Sequence, residues 1–490
     1  MLYRLFPSRL ISINKCIRKY SGKVNALVNK VLEPIVDNNQ FVILEDIITP
    51  LARTPYERQL RIKLQLILDI LTDFYFSIEK KTSSRKYKIF PFSPSVWPVL
   101  EHYRNKDEFS VQRGFDGDEK TFGLFCGKSS EGKVYAVRPT HLINIKPEHK
   151  RVLQVFENFV KKSPLPPCYR LDDGGYWRQL LLRSNLKGDI MAIVIVHPQN
   201  YLKEKIETEK KQLVQHFLEN NVYLHSLYHQ QCKNVQCTKE TSDLSLIYGE
   251  AYLYEDLLGR KFRISPDSFF YINVEATKVL CEEVMKIAEF NQSVTLLDIC
   301  CGVGIFSILY SNLVRNCIGI EQKSSCFEDA LINLSLNNIH NCEFSFGQVE
   351  TRLKSVYNVL ENVNNVTVIV NSGRSGLHPR TIKLLRQFPA INKILYISAN
   401  LQHKNTQRNF QDLLKNDSKK TGQAFKLRTT FLVVGFELMA VNGWSFSTLW
   451  KVLSEGMDLE LLAISVPLVS APSTSVDVEL ISLHQGVFAR

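Results

Sequence analysis

Leu296-Leu297-Asp298-Ile299-Cys300-Cys301-Gly302-Val303-Gly304-Ile305-Phe306 is the stretch on which the fold turns. An apolar run with an acid near its end, a Gly-rich turn and a second apolar run spell strand, turn and helix start. Glycines let a backbone turn tightly and lie close to a ligand, and the helix N-terminus beyond leaves N–H groups free. Nineteen residues after Gly302 comes Glu321, at the end of the next apolar run. A carboxylate there can accept both ribose hydroxyls of an adenine nucleoside. The turn has two glycines, Gly302 and Gly304, without the third of a dinucleotide fingerprint. Asp298 beside it would repel a pyrophosphate and suit a cationic sulfonium–ammonium ligand. S-adenosylmethionine is therefore the expected ligand, with a dinucleotide and an empty turn as the alternatives. Asp298 is read either as a direct ligand or as an acid that shapes the loop.

The surrounding chain alternates strand and helix. Thr277–Phe290 reads as a helix, Val294–Ile299 as a strand and Gly304–Leu313 as a helix. Asn316–Ile320 (strand), Cys326–Asn337 (helix), Cys342–Phe346 (strand), Asn365–Val370 (strand), Thr381–Gln387 (helix) and Lys393–Ser398 (strand) continue the series. Such a βαβ succession predicts an α/β domain, a doubly wound parallel sheet over residues 248–490. Upstream, residues 90–247 carry short β-rich runs: Glu108–Val111, Thr121–Cys126, Val134–Val137, Gln179–Leu182 and Ile190–His197. Turn signals such as Asp116-Gly117 and Lys187-Gly188 separate them, which predicts an antiparallel α+β module. Residues 25–89 read as a helical segment, periodic over Tyr56–Ile78 with a strand as the alternative, and a basic linker. No internal repeat or low-complexity tract is present.

Composition narrows the partners. The net charge is +12, and Met1–Lys23 supplies six of its cations (Arg4, Arg9, Lys15, Arg18, Lys19, Lys23) with no acid before Glu33. A basic, serine-containing leader of this kind predicts a mitochondrial transit peptide over residues 1–24, with processing after Tyr20, against a plain basic terminus. The remainder is mildly basic, which fits a polyanion partner without requiring one. The eleven cysteines show no CxxC and no secreted-type pairing. They are expected to be reduced, with no zinc or iron–sulfur site. Phe431–Trp450 is mostly apolar, but Glu437, Asn442, Gly435 and Gly443 interrupt it. A charge near a span's centre costs about 2.5–3.5 kcal/mol on insertion scales, so a buried strand and turn is the reading and no membrane association is expected. Basic and aromatic side chains cluster in the β-rich module: Tyr103, Arg104, Lys106, Tyr176, Trp177, Arg178, Gln179 and Arg183. Such groups suit phosphates and splayed bases, or equally a solvated face over a packed aromatic.

A series of short blocks resembles the tRNA uracil-5-methyltransferases, in particular the animal members. They are Thr49-Pro50-Leu51, Tyr56-Glu57-Arg58-Gln59-Leu60, Tyr103-Arg104-Asn105-Lys106-Asp107-Glu108-Phe109, Tyr176-Trp177-Arg178-Gln179-Leu180 and His197-Pro198-Gln199. Glu255-Asp256-Leu257-Leu258-Gly259, Phe262-Arg263-Ile264-Ser265-Pro266, Phe269-Phe270-Tyr271-Ile272-Asn273, the Gly-rich strand, Glu321 and Arg374-Ser375-Gly376-Leu377-His378 follow in family order. The resemblance spans roughly residues 45–430 and, weakly, 465–490. It implies a Rossmann-like S-adenosylmethionine-dependent methyltransferase domain behind an N-terminal α+β RNA-binding module. It further implies an RNA partner, tRNA first with ribosomal RNA left open, and a chain that works as a monomer.

The family chemistry starts with a cysteine thiolate that adds to C6 of uracil, and a carboxylate later removes the C5 proton. The target base must leave its stack to be reached. By resemblance, the cofactor residues are Tyr271, Asp298, Cys300, Gly302, Gly304, Glu321 and Asn371, and the proton acceptor is Glu479. The family's Ser-Cys-Asn is here Ser398-Ala399-Asn400, so the nucleophile's position is Ala399. The family's Asp-Pro-Pro-Arg is Asn371-Ser372-Gly373-Arg374, and Tyr271 stands where a glutamine is usual. Glu479 keeps its place without the family's histidine, His378 reads as structural, and residues 430–465 have no place on the family pattern. Three functions follow: uracil C5 methylation in tRNA, a catalytically inactive RNA-binding homologue, or a methyltransferase of altered chemistry in which another group replaces the cysteine.

Overall fold

The computed structural model describes residues 39–56, 58–59, 92–95, 99–128, 133–171, 174–234, 237, 241–360, 363–373, 376–399, 403–415, 425–433 and 476–483. Over 92–95, 425–433 and 476–483 it describes the main chain alone. The leader Met1–Lys23, most of Tyr56–Ile78, Arg374 and most of Phe431–Trp450 lie outside the described residues.

A short helix α1 (Gln40–Ile48) precedes strand β1 (Phe92–Ser95). The expected β-rich module then forms a seven-stranded sheet from β2 (Lys106–Gln112), β3 (Thr121–Lys128), β4 (Lys133–Val137), β5 (Trp177–Ser184), β6 (Ile190–Val196), β7 (Ser226–Gln231) and β8 (Asp243–Gly249). Their order is β4-β3-β2-β5-β6-β7-β8. Neighbours are antiparallel except β6 and β7, which run parallel because a helix intervenes. Two helices, α2 (Pro147–Lys162) and α3 (Lys203–Glu219), cover one face. Period-two alternation sends Phe109, Val111, Leu180, Leu182 and Val194 into the core beneath them,. The opposite face offers Met191, Ile193, Ile195 and Tyr228 to a second core, shared with the rest of the chain.

That second core begins with a hairpin, β9 (Leu253–Leu257) and β10 (Arg260–Ile264), and helix α4 (Val274–Ala288). Asn273 caps α4 by accepting the Ala276 amide at 2.9 Å,. The succession β11 (Thr295–Ile299), α5 (Ile305–Tyr310), β12 (Asn316–Glu321), α6 (Ser324–Leu336), β13 (Cys342–Phe346), α7 (Val349–Val359), β14 (Val366–Asn371), α8 (Pro379–Gln387), β15 (Ile391–Ser398) and α9 (Lys404–Leu413) follows. Two further strands, β16 (Phe425–Val433) and β17 (Val476–Leu483), complete an eight-stranded sheet of order β1-β16-β17-β15-β14-β11-β12-β13. Every pairing in it is parallel. Alternate residues serve opposite faces: Leu296, Ile369 and Leu395 pack toward α4 and α5, whereas Leu297, Val368 and Ile394 pack toward α7, α8 and α9. The doubly wound α/β expectation thus holds. The order reverses between β11 and β14, and the crevice at the carboxyl ends of those strands is where such sheets take ligands.

Two expectations are corrected. β1, placed by sequence in the β-rich module, pairs parallel with β16 (Phe92 opposite Thr430) and extends the large sheet. Cys232 and Cys237, expected to be reduced, form a disulfide that closes the loop after β7. Among the described residues no helix is long and apolar enough to cross a membrane.

The buried carboxylate of Asp329 on α6 holds the segment after β10. It accepts Arg263 Nε at 2.6 Å, the Ser265 amide and hydroxyl at 2.8 Å each, and the Ser268 hydroxyl at 2.6 Å. Removing one partner of such a buried network leaves the others desolvated and unanswered. Asp329→Ala is therefore expected to lower unfolding free energy by about 3–5 kcal/mol in urea titrations; a loss below about 1 kcal/mol would contradict this role.

Candidate functional site

The turn after β11 is built from left-handed backbone. Cys300, Gly302 and Gly304 have φ of +59°, +59° and +84°. At Gly304 a Cβ would lie 2.7 Å from the Phe344 ring, so both space and conformation require glycine,. At Gly302 a Cβ would meet only Phe269, at 3.9 Å, so conformation alone requires it. The Gly302 amide donates to Glu321 Oε2 at 2.9 Å, and the Gln322 and Lys323 amides donate to Oε1 at 2.8 Å each. Glu321 at the end of β12 is thus fixed beside the turn. A carboxylate has about four acceptor positions, so an arriving diol takes the one that remains and displaces a backbone donor.

Next to the turn, buried polar groups converge with incomplete hydrogen bonding. Asp298 is fully buried; Oδ2 accepts the Ser307 amide at 3.2 Å and hydroxyl at 2.8 Å, while Oδ1 has no hydrogen bond. The buried Tyr271 hydroxyl, with the Asn371 amide beside it and Asp298 within electrostatic reach, also lacks a well-formed hydrogen bond. Asn371 is the last residue of β14. Burial first, and repulsion from Glu321, push the Asp298 carboxyl up to about 7 against the pull of the Ser307 bonds. Orphaned buried acceptors cost free energy that a ligand's donors recover. The residues present therefore fit a ligand with a cationic, donor-rich end at Asp298 and a diol at Glu321.

The positions expected from the resemblance to be catalytic lie on or just past β15 and β17. Ala399 follows the end of β15 and is buried. Cys300 and Cys301 are free thiols on the turn, but burial, Glu321 and Asp298 push Cys300 up to about 12, and burial first pushes Cys301 well up. Both stay protonated near neutral pH and are poor nucleophiles. Glu479 lies on β17, its backbone in register with Leu395 of β15, beside the strand that ends before Ala399. His378 caps α8, accepting the Arg380 amide at 3.2 Å.

Residues read from sequence as one RNA-facing set divide between two faces. Trp177 is 1% exposed, edge-on to Phe156 and Phe159, and offers no face to a base. Arg104 is buried and bonds Asp107 at 2.7 Å, which also receives His149 Nδ1 at 2.6 Å. Arg178 donates to the Cys232 and Asn234 carbonyls at 2.7 and 3.0 Å, bracing the disulfide loop. In place of the expected RNA-facing roles, Trp177 packs in the core, Arg104 is answered by Asp107 and the Lys106 carbonyl, and Arg178 by two backbone carbonyls. Tyr103 is partly exposed. Lys106, Gln179 and Arg183 lie on the other face of β2 and β5, with Gln179 bonded to the Ser110 hydroxyl at 3.0 Å. Sequence reasoning missed three contributors. Asp329 braces the loop. Phe269 is 45% exposed beside Gly302 and edge-on to Tyr271. Asn105 ties the two sheets together, its amide donating to Ile272 O at 2.8 Å and its side chain to Tyr271 O at 2.9 Å. The Phe-Phe-Tyr block was the available signal for Phe269; the other two depend on contacts distant in sequence. Among the described residues no group of three or more His, Cys, Asp or Glu could hold a metal ion.

A doubly wound sheet with a Gly-rich turn at its switch point, an acid on the next strand and a β-rich module latched to it defines a two-part nucleoside-ligand-binding protein of the α/β class. The tRNA (Uracil-5-)-methyltransferase family model matches residues 73–424, and the chain belongs to that family. The tRNA (uracil-5-)-methyltransferase homolog B of Danio rerio is 38% identical over 443 residues, covering 86% of this chain and 92% of the relative. The Homo sapiens homolog B is 36% identical over 378 residues, covering 74% and 75%. A solved Pyrococcus abyssi tRNA (uracil-54, C5)-methyltransferase in complex with S-adenosyl-L-homocysteine is 19% identical, with a TM-score of 0.48, covering 69% of this chain and 74% of that one.

The Asp298 geometry predicts a pH effect. Folding raises its pKa, so folded protein holds a proton that the unfolded chain releases, and this contribution to stability is lost as pH rises toward and through about 7,. Asp298→Asn should therefore lose less thermal stability than the native chain between pH 5.5 and 8; equal losses in the two proteins would contradict the assignment.

Proposed function

We propose that this chain binds S-adenosylmethionine and a tRNA uridine in one site, the arrangement for methylating uracil C5, and does so in mitochondria. The carrying observation is Asp298 Oδ1, a buried acceptor with no donor, together with the buried Tyr271 hydroxyl, beside a left-handed turn and Glu321. When bound, S-adenosylmethionine supplies an electrophilic methyl group. Glu321 accepts from the ribose, Asp298, Tyr271 and Asn371 receive the amino-acid end, and Gly302 and Gly304 let the backbone approach. A uridine swung out of its stack would rest against Phe269, 45% exposed beside Gly302,. Glu479 is the candidate to take the C5 proton. The mitochondrial reading rests on the leader, with six cations and no acid before Glu33.

Ala399 favours a second reading, a catalytically inactive RNA-binding homologue. The methyl group of Ala399 cannot add to C6, and the Cys300 thiol is held protonated. Loss of a nucleophile costs up to about 10⁶ in rate. Loss of a carboxylate at Asn371 costs on the order of 1–3 kcal/mol, so binding survives where turnover does not.

Purified protein, labelled S-adenosylmethionine and an unmodified tRNA transcript test both readings, with Ala399→Cys alongside. The expected outcome is binding of both ligands, with native turnover slower than the variant's by up to about 10⁶. Rapid methylation by the native chain would remove the second reading. Failure to bind either ligand would remove both. RNA containing 5-fluorouracil should be trapped covalently by Ala399→Cys and not by the native chain.

A further inference from the structure

Four arginines are buried among the described residues: Arg104, Arg178, Arg183 and Arg386. Three have full answers. Arg104 bonds a carboxylate, Arg178 bonds two carbonyls, and Arg386 donates to the carbonyls of Asp412 and Lys415. Arg183 is 4% exposed, yet its guanidinium makes one long hydrogen bond, 3.4 Å to the Ser265 carbonyl. It has no carboxylate in ion-pair contact among the described residues. A guanidinium carries five donors, and a buried cation without an anion is among the costlier features a fold can keep.

Its surroundings add to that cost. Lys106 on β2 is directly opposite Arg183 on β5. Directly opposite residues share a face, about 4.5–5.5 Å apart at Cβ, and like charges there repel. The acids nearby are committed elsewhere. Glu108 pairs with Lys106 at 2.7 Å, Asp329 pairs with Arg263, and Asp267 pairs with Lys323. Burial first, and then Arg183 and Lys323 acting against Glu108, hold the Lys106 ammonium below its ordinary pKa. Three cations therefore converge where the two sheets meet, with fewer anions than they need.

We propose that Arg183 and Lys106, with Lys323 near them, form an anion subsite that takes one backbone phosphate of the bound RNA. This rests on the RNA-binding reading above and deepens it. The Ser265 carbonyl that holds Arg183 belongs to the segment that ends in Phe269, whose exposed ring lies beside Gly302. A phosphate anchor at one end of this segment and a stacking surface at the other suit a nucleotide drawn out of its helix.

The test uses Arg183→Met, which removes the charge at similar volume, and Arg183→Lys, which keeps it. Binding of an unmodified tRNA transcript is followed by fluorescence anisotropy from 50 to 300 mM KCl, with thermal unfolding of the RNA-free proteins. Arg183→Met is expected to bind RNA at least tenfold more weakly, with a salt slope shallower by about 0.7–0.9 for the one lost phosphate contact. It should unfold at the same or a higher temperature, because an unanswered charge has gone. Arg183→Lys should recover most of the affinity, and inorganic phosphate should raise the melting temperature of the native chain more than that of Arg183→Met. Unchanged RNA affinity and slope in Arg183→Met would overturn the subsite. A lower melting temperature with unchanged slope would make Arg183 structural and overturn it as well. Native protein that binds no tRNA would remove the RNA reading itself, and the subsite with it.

Discussion

The Gly302 amide donates to Glu321 across 2.9 Å, and that bond makes one surface of the turn after β11 and the end of β12. Parallel pairing aligns the two strands, and three left-handed residues let the chain double back before α5. A side chain at Gly304 would strike the Phe344 ring on β13. The rest of the site is arranged around this bond. Asp298 lies just before the turn, Asn371 ends the strand on its other side, and Asn105 grips the Tyr271 segment from the neighbouring sheet.

Two carboxyls, Asp298 and Glu321, lie within electrostatic reach of each other, and among the described residues neither is ion-paired. Asp298 is buried within reach of Glu321, and one of its oxygens has no donor. Ligand-free, this costs stability; a cationic ligand converts the cost into affinity. The arrangement binds by charge and shape and does not itself activate a base. The thiols on the turn sit in the same field, and Cys300 is pushed up to about 12 by burial and the same two acids. The environment suited to a sulfonium is therefore hostile to a thiolate at Cys300.

Much of this was legible in sequence. The doubly wound sheet followed from apolar runs of strand length alternating with helical ones, and each expected strand from Val294 to Ser398 exists within a few residues. The turn and Glu321 were legible because glycine spacing and a strand-end acid are local signals. What failed was non-local. β1 is four residues long and gives no hint of its partner, Phe425–Val433, more than three hundred residues away. The Cys232–Cys237 pairing depends on a loop whose shape spacing does not fix. The basic and aromatic residues of the β-rich module read as one patch, yet strand alternation and a bulge between Trp177 and Gln179 divide them. Trp177 and Arg104 turn into the core, while Lys106 and Arg183 face the other sheet. Asp329 and Asn105 act through partners 61 to 167 positions away, which no window of sequence reveals.

Whether the turn and Glu321 hold S-adenosylmethionine is decided by calorimetric titration of the native chain and of Glu321→Ala. The native chain should give saturable heat and the variant an affinity at least tenfold weaker, since a hydrogen bond to a charged group is worth about 1.5–3 kcal/mol. No heat at high micromolar ligand, or the same affinity with Glu321 removed, would contradict this.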